Sequence, residues 1–319
     1  MNASLLYKIT VVALLLSISS AKAQTDLSST QHVEVSFTGR LAGKPFACGS
    51  QYESVGSKKS TVTPQDLRFF VSDIDLLDAN GATVPVSLDQ DGIWQYKSVA
   101  LVDLEDGTGG CRNGNAAMHP AVTGVVPAGH YVGLRFSVGV PYELDHGDPL
   151  TAPSPLNMTA MFWNWQFGYK FIRAEVTALP VPHAAGNGEN AEPPAATGTG
   201  SASQVVDKSK RRSSGFAVHI GSTGCGNGSA TVDPDHECKR PNRALVTLSQ
   251  FDPAKDVVVF DLDRLLAESD VTENSPDTPP GCMSGENDSD CLPIMRALGL
   301  PYRDSPAVEQ VVFYAEPKQ

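Results

Sequence analysis

Positive charge is scarce in this sequence: 24 Lys and Arg stand against 36 Asp and Glu, a formal net charge of -12 over 319 residues. A nucleic-acid partner is excluded on that ground, since phosphate recognition needs a basic face. The one cationic run, Lys208, Lys210, Arg211 and Arg212, reads as a solvated linker end. GxSxG, Walker and dinucleotide fingerprints are all missing, and with them the local signatures of serine hydrolases, P-loop proteins and Rossmann folds. No two histidines stand at HxH or HExxH spacing and no two cysteines at CxxC spacing, so any metal site must be assembled by the fold. Calcium has no loop to bind: Asp89, Asp91, Asp103, Glu105 and Asp106 gather around Trp94 without the DxDxDG order or a bidentate Glu at its twelfth position. Those residues read as a solvated turn. No pair of carboxylates is singled out as acid and base.

Long apolar runs are absent as well. The apolar stretch from Ile9 to Ile18 falls short of the ~20 residues that a membrane span needs, and nothing later approaches that length. Lys8 precedes it and Ala21-Lys22-Ala23 follows, so residues 1–23 read as a secretory signal peptide and the expected product is a periplasmic protein without a membrane span. Six cysteines in an oxidising compartment predict disulfides, with fifteen connectivities open. The close spacings favour Cys225 with Cys238 and Cys282 with Cys291, leaving Cys48 with Cys111.

What fills the chain is short alternating segments. Strands are expected at Val33 to Gly39, Leu67 to Leu77, Thr83 to Leu88, Val99 to Leu104, His130 to Val138, Ala160 to Thr177, Gly215 to Ile220, Arg243 to Gln250 and Asp256 to Asp261, with one helical turn at Asp263 to Glu268. Asn80-Gly81 supplies a hairpin turn. Turns rich in Gly, Pro and Asp and the lack of a long 3.6-residue period predict an all-β fold, an antiparallel β-sandwich with long loops. Residues 24–319 are expected to form one such domain, interrupted by a disordered, Pro/Gly-rich insertion at about 184–214.

Two of the three tryptophans lie in Met161 to Phe171, MFWNWQFGYKF. At a period of two, Met161, Trp163, Trp165, Phe167, Tyr169 and Phe171 share one face. Such a face serves either a packed core or a tryptophan set out for redox chemistry or ligand stacking. Among the seven histidines His219 sits inside a strand pattern, FAVHIGSTGC, and His146 in the loop leading to the aromatic stretch, while His183 and His236 are weaker ligand candidates.

Taken together, PFACGSQY, DLRFFVSDIDL, WQYKSVALVDLEDGTGGC, LRFSVGVPYELDHGDP, PLNMTAMFWNWQFGYKF and FAVHIGSTGC resemble the MbnP family, the four-Cys proteins of the metallo-mystery pair, from about Phe37 to Phe260. The resemblance implies a periplasmic copper-binding protein that is no enzyme itself. It implies as partner an MbnH-type di-haem c-type cytochrome, which oxidises a tryptophan to kynurenine. Opening the indole yields an aromatic amine, a neutral nitrogen donor of the kind copper accepts. Carried over by position, Trp163 and Trp165 match the WxW motif and His219 the HIGxTGC strand. His146 matches a loop position in which Asp145 replaces the Asn expected there, and His32 is an N-terminal candidate. Copper sequestration or delivery follows as the expected role. A copper- or Trp-cofactor-dependent redox enzyme and a carbohydrate-binding sandwich are the alternatives.

Overall fold

The computed structural model describes residues 29–179, 215–227, 229 and 231–318. The signal-peptide reading, His183, the cationic run and the 184–214 insertion lie outside the described residues. The fold is all-β, a sandwich of a six-stranded and a ten-stranded sheet. Among the described residues no helix is long and apolar enough to cross a membrane.

The six-stranded sheet is built around Thr30–Leu41, whose alternation sends Val33, Val35, Phe37 and Leu41 inward. It pairs antiparallel with Ala121–Pro127 and parallel with Asp256–Asp261, which in turn pairs with Phe313–Pro317. In the other sheet, Phe216–Ile220 and Gly281–Cys282 are also parallel, so among the described residues the sandwich carries two parallel ladders within an otherwise antiparallel frame. Phe37 and Phe69 from the two sheets meet edge to face at 5.7 Å, and Phe260 and Phe313 complete the aromatic centre of the core.

Ser60–Asp78 is the spine of the ten-stranded sheet. Period-two alternation puts Asp73 and Asp75 on the side of Phe69 and Val71, but a bulge at Asp73, with φ of 50°, shifts the phase. Ile74 and Leu76 thereby turn into the core, and Asp73 and Asp75 reach Arg243 and Arg135. Phe70 points to the opposite face, where a second, smaller core of Val99, Leu101, Val140, Leu156, Met161, Tyr169 and Phe171 lies over the sheet. This second core carries the aromatic stretch.

The cysteines form Cys48–Cys111, Cys225–Cys238 and Cys282–Cys291, the pairing that their spacings favour and one suited to an oxidising, extracytoplasmic setting. Helices among the described residues are short: Tyr142–Asp145, Leu262–Leu266, capped by the Asp261 carboxylate, and Cys291–Ala297.

Candidate metal centre

The aromatic stretch is a hairpin, not the continuous strand that its alternation suggests. Phe162–Asn164 pairs with Gly168–Tyr169, and between them the Asn164 side chain accepts a hydrogen bond from the Phe167 amide. Gly168 has φ of 65°, and an added Cβ there would lie 2.4 Å from an Asp145 oxygen. The turn divides the expected aromatic face. Met161, Tyr169 and Phe171 are buried, Phe167 is exposed, and Trp163 and Trp165 are half-buried.

Trp163 lies beside His219, ring centroids 6.5 Å apart. What allows this approach is Gly221: a Cβ at that position would sit 2.5 Å from the Trp163 ring and 2.6 Å from the Tyr169 carbonyl. Trp163 also lines an open cleft of about 520 Å³ with Asn164, Phe167, Thr223, Met283 and Glu286.

His219 is 8% exposed. Its Nε2 lies 2.7 Å from Glu175 Oε1. Burial pushes the imidazole below its ordinary range, with Lys170 and Arg173 adding to the effect against the pull of Glu175. Burial acts upward on Glu175, yet hydrogen bonds from His219 and Arg173 outweigh it and hold the carboxylate at about 2. A charged Glu175 beside a neutral His219 fixes the tautomer: Nε2–H donates, and Nδ1 carries the lone pair. That Nδ1 is buried and, among the described residues, has no hydrogen-bond partner. A carboxylate-backed imidazole with its second nitrogen unused is the arrangement found around protein-bound metals, and the donor fits a nitrogen-preferring ion.

Behind His219 runs a buried ionic chain. Arg173 Nε bridges Glu175 (2.8 Å) and Asp66 (3.1 Å), and Asp66 grips Arg68 in the strand alongside. Cross-strand register places Arg173 between Arg68 and His219. Lys170 donates to the Ala160 carbonyl at 2.8 Å, and burial together with Arg173 lowers it to about 8. Glu175, Gly221 and this chain are absent from the sequence-based candidates. Charged residues inside the strand patterns LRFFV and IRAEV were the available signal.

His146, 6% exposed, is attached to the other tryptophan: its Nδ1–H donates to the Trp165 carbonyl at 2.9 Å. Its Nε2 then holds the lone pair, 3.4 Å from Cys238 Sγ and 3.4 Å from Asp145 Oδ2. Burial lowers this imidazole too. Asp145 accepts from the Tyr169 amide (2.8 Å) and the Ser222 hydroxyl (2.6 Å), tying together the His146 loop, the hairpin and the residues after His219. Burial raises the Asp145 carboxyl to about 7 in spite of those bonds.

His32 is not brought to this region. It lies on the six-stranded sheet, 59% exposed at the side chain, and pairs with Asp89 at 2.9 Å. Trp94 is half-buried and stacks on His119 at 5.0 Å. No described contact joins His146 to His219. Among the described residues, the groups of three potential ligand atoms are His146 with Cys225 and Cys238, and Glu105 with Cys48 and Cys111, so each contains a disulfide.

No curated protein matches the chain. One solved structure, MbnP from Methylosinus trichosporium, is 31% identical, with a TM-score of 0.73 over 91% of this chain and 100% of that one. The family model MbnP matches residues 30–284, which span both sheets, the aromatic hairpin, His146 and His219. With most of its length matched by that model, the chain belongs to the MbnP family.

Proposed function

We propose that this protein is a periplasmic copper carrier whose metal is held by His219 and by Trp163 after its oxidation to kynurenine. The single observation that supports this most is the buried Nδ1 of His219, without a hydrogen-bond partner among the described residues, with Nε2 secured on Glu175 and the Trp163 ring beside it. Intact indole offers only an N–H donor, so Trp163 adds no metal ligand until its ring is opened. Opening it leaves an aromatic amine next to a neutral imidazole, two nitrogen donors suited to copper.

The oxidising equivalents belong to a partner, an MbnH-type di-haem c-type cytochrome acting on this chain as its substrate. Trp163 is the preferred target over Trp165 because its ring borders both His219 and the open cleft, whereas Trp165 meets His146 through its backbone carbonyl. Glu175 orients the imidazole, and the ionic chain through Arg173 and Asp66 holds Glu175 charged. Secretion through the N-terminal signal peptide and a role in copper sequestration or delivery complete this reading. The protein itself catalyses nothing.

The test is copper content after co-expression with the partner. Parent protein is expected to carry one copper, while H219A and W163F carry none. Full loading of either variant would contradict the assignment.

A further inference from the structure

Away from Trp163, a ring nitrogen of His146 and the Sγ atoms of Cys225 and Cys238 all lie within 4.8 Å of one another. The imidazole is already set for ligation, since Nδ1–H is spent on the Trp165 carbonyl and the Nε2 lone pair faces Cys238 at 3.4 Å. The two sulfurs are bonded to each other, and a disulfide is no thiolate. Of the six cysteines, Cys238 alone is not buried, so among the three disulfides Cys225–Cys238 is the least shielded from an external thiol. Exposed Asp233, Asp235 and Glu237 flank Cys238 and favour the approach of a cation.

We infer that His146, Cys225 and Cys238 form a second, redox-gated site for a soft metal ion, with Cu(I) as the fitting ion. A dithiol reductant opens the site. It transfers two electrons to the Sγ–Sγ bond, which breaks to give two thiols, and is itself left as a disulfide. Binding of one Cu(I) then releases the two thiol protons to solvent and forms two S–Cu bonds and one N–Cu bond. Two thiolates and one imidazole match the preference of Cu(I) for soft donors and low coordination number. The site does not depend on tryptophan oxidation, so it stands or falls separately from the His219 reading.

The full chain, made without the cytochrome and carrying H219A and W163F, isolates it. Treatment with a phosphine reductant should release two thiols, located by alkylation at Cys225 and Cys238. Reduced protein should then take up one Cu(I) against a chromophoric Cu(I) chelator and develop thiolate-to-copper ultraviolet absorption, while the oxidised protein takes up none. H146Q, which keeps both cysteines, should weaken uptake by about tenfold or more, and C225S/C238S should abolish it. Failure of the native protein to release these thiols, equal uptake by oxidised and reduced protein, or unchanged affinity in H146Q would overturn the inference.

Discussion

The two tryptophans of the hairpin each have a histidine beside them, and the two histidines are wired in opposite ways. His219 leans on a carboxylate through Nε2 and keeps a buried Nδ1 without a partner among the described residues. His146 leans on a backbone carbonyl through Nδ1 and presents Nε2 to a disulfide. A carboxylate raises the ligand basicity of an imidazole more than a carbonyl does, and only at His219 is the ring of a tryptophan the neighbour. Identical residue types therefore suit different donors: nitrogen beside Trp163, sulfur beside Trp165.

The comparison breaks most directly through copper retention in protein matured by the cytochrome. H219A should lower affinity by more than about 100-fold, since loss of an orienting neighbour alone costs ~10–100-fold. H146A should stay within about threefold of the parent by the same copper competition, because its nitrogen belongs to the other site. Equal losses in the two variants would place both imidazoles on one copper. E175Q should fall between them, about 10-fold or more below the parent, and an equal loss in D145N would remove the distinction between the two settings.

Packing gives a smaller effect. G221A inserts a methyl group against the Trp163 ring and should cost about 1–3 kcal/mol in urea unfolding while displacing that ring, seen as a shift in tryptophan fluorescence. The same change at the exposed Gly147, which has open space around its Cα, should leave both readouts unchanged.

The smallest effect is the pH dependence of stability. A lowered folded pKa at His219 contributes stability that is present above the ordinary value of 6.5 and is lost as pH falls below it. Asp145, raised to about 7 by burial, works in the opposite direction, contributing stability present below 3.8 and lost as pH rises through about 7. Acidification from about pH 7.5 to 5.5 should therefore destabilise D145N more than the parent, and H219Q less, in paired urea titrations. Identical slopes for all three proteins would show that neither group titrates differently on folding.

Much of the architecture was legible because alternation is strong wherever one face meets the core, as in Val33, Val35 and Phe37. It misled at two places for one reason: a residue outside the ordinary strand region changes the phase. Asp73 does this in the spine, and the Asn164–Gly168 turn does it in the hairpin, where Met161, Tyr169 and Phe171 are buried while Phe167 is exposed. His219 and Trp163 were legible as residues, through the motif, but not as neighbours. Their proximity depends on Gly221, and the tautomer of His219 depends on Glu175 across the strand pair, relations that no local spacing encodes. His32 was an N-terminal candidate without a motif of its own, and the sheet topology places it on the six-stranded sheet, away from His219.

Trp163 as the residue converted into a copper ligand is best tested by fragment-resolved mass spectrometry of the peptide holding both tryptophans, from protein expressed with and without the di-haem cytochrome. Conversion at Trp163 alone, only with the partner and accompanied by copper, is the expected result. Conversion at Trp165 with Trp163 intact, or copper bound at His219 with both indoles unchanged, would contradict it.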